Sequence, residues 1–259
     1  MSILVAGRIT ELVFLIVFGV AIAYAIYSAK HGKLPTIRRL PAIDMLDEVV
    51  GRATEMGKPL LYSTGGNLTD VETPQTIAAF TMLDYVAHKS AKMGNKLLVS
   101  PRFAIHIPIV ADVLQSAYLG EGKSDMFNPE MIQYFSDQQF AFGQGVMGLI
   151  ARETPASLVM MGAWWGESLL FLEAASIYGV MALGGTANTH QLPFIVLCTS
   201  GCLLGEEIFA AGAYLSKDPA SVGTVAAGDI GRYVILALLA IGSIMMTAGV
   251  HVLVDLFKM

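Results

Sequence analysis

Charge is scarce in this chain. Of its 259 residues, 14% are charged and 54% hydrophobic, against a usual charged share of about 25%. Setting aside Arg8, Glu11, Asp255 and Lys258 leaves 14 basic and 19 acidic residues between positions 30 and 232, so the shortage is not confined to apolar termini. A net charge of −5 offers nucleic acid no basic face. Cysteine is nearly absent: Cys198 and Cys202 lie four apart, outside the C-x-x-C spacing, and two thiols alone do not complete a zinc site. There is no G-x-S-x-G elbow to carry a serine nucleophile. Nucleic-acid binding, thiol redox chemistry and a structural zinc centre are thereby set aside, and no cofactor is named by any motif.

Long apolar runs are what the chain has instead. Leu12–Ala29 (18 residues) and Tyr233–Phe257 (25 residues) are each long enough to span a bilayer. Ala23-Tyr24-Ala25 has the small-x-small form of a signal cleavage site, but with Met1 retained the first run reads as an anchor. Arg8 precedes it, whereas Lys30, Lys33, Arg38 and Arg39 follow it. The positive-inside bias then puts residue 30 onward in the cytoplasm and both termini outside. Small residues at Gly19/Ala23, at Ala21/Ala25, and at Gly242, Ser243, Thr247 and Gly249 give ridges for close helix packing. His251 and Asp255, four apart, read as a local hydrogen-bonded pair near the outer end of the second span.

A third stretch, Leu192–Leu215, is apolar enough to compete as a span. Glu206 and Glu207 argue against it, since a carboxylate at the bilayer centre costs roughly 2.5–3.5 kcal/mol. It reads instead as a buried strand (Phe194–Cys198), a turn (Thr199-Ser200-Gly201) and a helix (Cys202–Leu215). The architecture expected is one mostly parallel, Rossmann-like α/β domain over residues 31–231, held between transmembrane segments at 1–30 and 232–259.

Within the domain, Pro41–Met56 has helical spacing and Gly57 stops it; Thr73-Pro74 opens a second helix that ends at Gly94. Strands are expected at Pro59–Tyr62, Lys96–Ser100, Ala156–Met161, Val180–Leu183 and Phe194–Cys198. Residues 107–119, 128–153 and 167–178 read as helices, and Gly143, Gly145 and Gly148 in one of them imply close packing. Only Ala187–Leu192 separates the fourth strand's Gly184-Gly185-Thr186 turn from the fifth. A parallel crossover needs about a dozen residues, so those two strands are not expected to be ordinary parallel neighbours.

Several segments carry a family resemblance: Arg39–Asp44, Leu61–Gly66, Val99–Arg102, Met161–Trp164 and Gly166–Ser168. Together they resemble an uncharacterised family of prokaryotic membrane proteins, a domain of unknown function, over most of residues 38–235. The resemblance implies a membrane-anchored domain and brings no activity or site residue with it.

Polar residues collect at the expected strand ends: Ser63, Thr64, Gly65 and Gly66; Ser100 and Arg102; Trp164 and Glu167; Gly184–Thr186; Thr199, Ser200 and Gly201. In an open α/β sheet such turns share the carboxyl edge where ligands bind. The ligand-binding set expected is Ser63, Thr64, Gly65, Gly66, Arg102, Thr199, Ser200 and Gly201, with Arg102 as the fixed positive charge for an anion. On that basis replacing Arg102 should abolish anion binding and spare the fold. Gly65-Gly66 is neither a dinucleotide fingerprint nor a P-loop. A nucleophile and base from Ser63 or Ser200 with His190 and Glu206 is conceivable, and His190, Glu206 and Glu207 lack metal-ligand spacing. The function expected is a membrane-anchored, non-catalytic subunit or scaffold of a large homo-oligomer, with room for other protein subunits and for a small ligand at the strand ends. The alternative is a membrane-tethered enzyme acting on a phosphorylated or acyl substrate.

Overall fold

The computed structural model describes residues 9–32, 40–249 and 251. In chain order the elements are α1 (Ile9–Lys30), α2 (Pro41–Met56), β1 (Leu60–Thr64), α3 (Thr73–Met93), β2 (Leu97–Pro101) and α4 (Ile107–Gly120). There follow α5 (Gln139–Glu153), β3 (Ser157–Met161), α6 (Glu167–Ile177), β4 (Met181–Thr186), α7 (Leu192–Cys198), β5 (Gly201–Leu204), α8 (Glu207–Ser216) and α9 (Pro219–Thr247). They form two compact units: Arg38–Ser216 is one, and the segments on either side of it make the other. The sequence places the second boundary at 231, whereas α9 runs unbroken from Pro219.

The larger unit is a five-stranded sheet in the order β2-β1-β3-β4-β5, every pair parallel. Side chains alternate between its faces. Leu60, Tyr62, Val99, Val159 and Leu203 pack with α2, α3, α4 and α8; Leu61, Leu98, Leu158, Met160 and Ala182 pack with α5, α6 and α7. Beyond β2, Ile132 forms a single parallel bridge with Val99. Pro41 and Pro74 sit in the first turns of their helices, and Gly57 and Gly94 close them in the left-handed conformation. Thr73 is not the cap of α3; its hydroxyl donates to Asp70 O (2.7 Å), and Asp70 Oδ1 accepts from Glu72 N–H (2.8 Å).

Four readings of the sequence are corrected. Phe194–Cys198 is not a strand: Leu192–Cys198 is the helix α7, with Pro193 in its first turn, and β5 begins later, at Gly201. The longer connection from Ala187 to Ser200 supplies the length a parallel crossover needs, and β4 and β5 are parallel neighbours, Leu183 beside Gly201. The Gly184-Gly185-Thr186 segment is the end of β4 itself, where a Cβ on Gly184 would meet Ile195 and Thr199 and one on Gly185 would meet Met161 and Leu203. Finally, Asn128-Pro129 opens only a short 3-10 turn, and the following helix starts at Gln139. Of its three glycines, Gly143 lies against Leu170 and Glu167 and Gly145 against Phe135, whereas Gly148 faces open space.

In the smaller unit α1 and α9 pack as an antiparallel pair. Gly223 lies against Ala25 and Ile26, and Gly231 against Phe18. Ala25, Ala29, Val222 and Ala227 are buried along this seam together with these two glycines. Small residues let the backbones approach, but of those expected to do so only Ala25 is buried here: Gly19 and Ala23 point away from the partner helix, Ser243, Thr247 and Gly249 are exposed, and Gly223 and Gly231 take their place. Residues 11–30 and 219–247 are each long and apolar enough to cross a membrane, with an 18-residue stretch in each of mean hydropathy 2.4 and 1.8. Asp255, the expected partner of His251, lies outside the described residues.

Candidate functional site

In the strand order β2-β1-β3-β4-β5 the chain leaves β1 toward one side and returns to its other side as β3, so the topological switch point lies between those two strands. The β1 and β3 turns meet there backbone to backbone. Gly65 N–H donates to Met161 O (2.8 Å), and Gly162, at φ +125°, presses on the Gly65 backbone. A Cβ on Gly65 would meet Ala163 O and the Trp164 ring, and one on Gly66 would meet Thr76 Oγ1. These glycines are required by the close approach of two turns. The Gly65 amide is consumed by that contact and is not turned toward a ligand.

Neighbouring polar groups are also engaged in the fold. Ser63 Oγ donates to Ser100 O (3.0 Å), and Ser100 Oγ to Gln133 O (3.0 Å). Thr64 Oγ1 lies 3.4 Å from His106 Nδ1. His106 is buried, edge-on to Phe80 and Phe103. Burial, reinforced by the nearby Arg102 charge, pushes its pKa down to about 4, so the ring is neutral at neutral pH.

Arg102 is only 6% exposed. Its Nη1 donates to Asp137 O (2.8 Å), its Nε lies 3.6 Å from Glu167 Oε1, and its guanidinium stacks over Phe103 and Phe142. Glu167 is equally buried and accepts from Gln139 Nε2 (2.6 Å). The fixed charge expected for an anion is therefore already answered by a carboxylate. A cleft of about 190 Å³ opens beside this pair, walled by Gly66, Asn67, Asp70, Glu72, Arg102, Phe103, Gln139, Ala163, Trp165 and Glu167. It carries three carboxylates to one guanidinium. Its rim continues into a hydrogen-bonded network: Trp165 Nε1 donates to Glu72 (2.7 Å), Asn188 Nδ2 to Trp164 O (3.0 Å), Gln75 Nε2 to Asn188 Oδ1 (3.0 Å) and Ala187 N–H to Gln75 Oε1 (2.8 Å).

Five of the eight expected ligand residues, Ser63 to Gly66 and Arg102, thus lie at the carboxyl edge. The other three do not. Because β5 starts at Gly201, Thr199, Ser200 and Gly201 enter that strand at its amino end; Thr199 Oγ1 donates to Ile195 O (2.7 Å) and Ser200 N–H to Ala182 O (2.8 Å). At the carboxyl end of β5 stands Glu207, whose Oε2 accepts from Leu204 N–H (3.0 Å). His190 stacks on Trp165 with ring centroids 4.5 Å apart. Glu72, Gln75, Gln139 and Asn188 were not legible as site residues, since no motif marks them. Among the described residues no group of three or more His, Cys, Asp or Glu is placed to hold a metal ion. Gly143-Gln144-Gly145-Val146-Met147-Gly148 has dinucleotide-fingerprint spacing, but it lies inside α5 and not at a strand-to-helix turn, so it forms no phosphate cradle. A larger cleft of about 550 Å³ lies elsewhere, lined by Asn95, Lys96, Tyr118, Arg152 and Glu153 among others. Burial pushes the Tyr118 hydroxyl up to about 12.

The larger unit is a doubly wound α/β domain with flavodoxin-like strand order. The model of a family described as a domain of unknown function (DUF6754) matches residues 1–257, and the chain belongs to that family. No curated protein and no solved structure matches it significantly.

The sequence-based expectation for Arg102→Ala reverses. Removing one partner of a buried ion pair leaves Glu167 uncompensated, at a cost of about 3–5 kcal/mol, whereas Arg102→Met with Glu167→Met should restore most of the loss. Thermal unfolding of both variants checks this; an Arg102→Ala protein as stable as the wild type would exclude the buried pair as a structural element.

The His106 environment sets a pH dependence. Its folded pKa of about 4 lies below the unfolded value near 6.5. Between those values only the unfolded state takes up the proton, so this contribution is intact above pH 6.5 and declines as pH falls toward 4. The slope is at most about 1.4 kcal/mol per pH unit. His106→Leu should flatten the fall in unfolding midpoint between pH 6.5 and 4.5, and equal slopes in the two proteins would refute the assignment.

Proposed function

We propose that this chain is a membrane-anchored, non-catalytic subunit that assembles with its own copies into a large homo-oligomer. The α/β domain stands on the cytoplasmic side, with both termini outside. One observation carries the oligomer: α6 and α7 expose several large apolar side chains, with Glu173 as the one charge on the outer side of these two helices. Ile177 is 69% and Leu197 81% exposed, beside Leu169, Tyr178, Phe194 and Val196. No lysine or arginine occurs between Arg152 and Lys217, so this half of the domain lacks the cations that keep protein surfaces apart. Large exposed apolar patches are rare on monomers, and interface cores are depleted in charge. The switch-point cleft supports a small ligand as well, one that donates hydrogen bonds or carries positive charge, because its carboxylates outnumber its single guanidinium. The rival, a tethered enzyme, draws no support from Ser63, whose hydroxyl is buried in a sheet contact, or from Ser200, at the far end of β5.

Ile177→Glu with Leu197→Glu should reduce the assembly to smaller species in mild detergent while leaving the unfolding midpoint nearly unchanged, since both side chains are exposed. Native mass measurement checks it. A wild-type chain that is monomeric under the same conditions defeats the proposal.

Orientation rests on the basic residues that follow α1. A Lys123→Cys chain, with Cys198 and Cys202 replaced by serine, should resist an impermeant thiol label in intact cells and react after permeabilisation. Ready labelling in intact cells would reverse the topology.

A further inference from the structure

The larger cleft, of about 550 Å³, opens at the amino end of β2, where Gly94, Asn95 and Lys96 lead into the strand. Tyr118 of α4 and Leu149 of α5 line it, as do Leu98 of β2 and, from the connection between the two helices, Met126 and Met131. Its size is that of a small-molecule pocket, which runs from about 300 to 1,000 Å³. Two side-chain atoms of the lining residues, Asn95 Oδ1 and the Tyr118 hydroxyl, are buried without a hydrogen-bond partner. Asn95 is 6% exposed and Tyr118 0%. Asn95 Nδ2 donates to Val50 O (3.3 Å), so the amide is oriented and its oxygen is the end left over. A buried polar group without a partner weakens a fold, and native structures keep few of them. Two in the wall of one cleft mark a place where an occupant supplies the partner. The charges at its mouth do not select an ion. Glu153 accepts from Lys96 Nζ (3.1 Å) and Arg152 Nε (3.2 Å), Glu130 accepts from Asn128 Nδ2 (3.3 Å), and two cations stand against two carboxylates. With its pKa raised to about 12 by burial, the Tyr118 hydroxyl keeps the proton it can donate. Met126 and Met131 are unbranched and reshape around an occupant, and methionine sulfur packs well against aromatic rings.

We propose that this cleft binds an uncharged planar heterocycle that carries an N–H beside a carbonyl or ring nitrogen, as nucleobases and nicotinamide do. Asn95 Oδ1 accepts from the N–H, the Tyr118 hydroxyl donates to the neighbouring acceptor, and the ring faces lie against the methionines and Leu149. A flat heterocycle answers this lining because its edge is polar and its faces are apolar, the division a mostly apolar pocket with a few placed polar groups selects. The site lies at the opposite end of the strands from the switch-point cleft and is independent of the assembly proposed above.

The test titrates adenine, uracil and nicotinamide into the full-length chain in lipid nanodiscs, read by saturation-transfer NMR and by hydrogen exchange. At least one probe should bind saturably and slow exchange in residues 121–133, which border the cleft. Tyr118→Phe removes the unpaired hydroxyl alone. It should bind that probe about fivefold more weakly, while its unfolding midpoint stays at or above the wild-type value, because an unpaired hydroxyl gives the fold nothing to lose. Met126→Trp, which fills the cleft from one wall, should abolish binding. Failure of all three probes to bind leaves water as the occupant and overturns the proposal. Binding that survives both substitutions overturns it as well, and so does a Tyr118→Phe chain less stable than the wild type, since the hydroxyl then has a partner in the fold. Protection confined to residues 66–72 assigns the probe to the switch-point cleft and likewise overturns this site.

Discussion

A parallel sheet has no face to give to water, and most of this domain follows from that constraint. Its strands are joined by helices that cross over it, so both faces must be covered. The alternation along β1 shows the result: Leu60 and Tyr62 enter one core, Leu61 the other. Strands buried on both sides carry almost no charge. Apart from the buried Glu167, the helices that cover them carry charge on their outer surfaces, and α6 and α7 have only Glu173 there. The scarcity of charge between positions 30 and 232 is therefore in part the signature of a two-sided core. What that core does not explain is the open apolar face left outside α6 and α7.

The same constraint shapes the switch point. Two central strands run side by side, and their following turns must pass within van der Waals distance. Gly65 and Gly162 allow it only because neither has a side chain. Once the turns are locked, the hydroxyls and amides beneath them bond to one another. What remains open is a small cleft whose one cation is balanced by Glu167 at 3.6 Å. A geometry that in related topologies cradles a phosphate is here filled by protein, and the residual field favours the opposite sign of ligand.

Much of the fold was legible because it is written in local chemistry. Pro41, Gly57, Pro74 and Gly94 mark helix ends through backbone restrictions that act within a few residues. The stretch from Leu192 was misread because a short run such as Phe-Ile-Val-Leu has no period that separates strand from buried helix. Two signals pointed the right way: Pro193, which suits a first helical turn, and the crossover length that a strand at Phe194 would have violated. That single shift moved Thr199–Gly201 from one edge of the sheet to the other. The Arg102–Glu167 pair was out of reach for a different reason. Both residues were noted at strand ends, but nothing in sequence says that two side chains so far apart neutralise each other.

The pairing of β1 with β3, Leu60 beside Ser157, also has a temporal side. It is the centre of the sheet and joins two segments separated by more than a third of the chain. Closing so long a loop carries an entropic cost that must be met before the contact gives anything back. During synthesis β1, α3 and β2 can associate as soon as they emerge, whereas β3 arrives much later. A nascent chain therefore passes through a stage in which the inner edge of β1 is bare, with a row of unpaired amides and carbonyls open to any extended segment nearby. That interval is when strands of neighbouring nascent chains are best able to exchange.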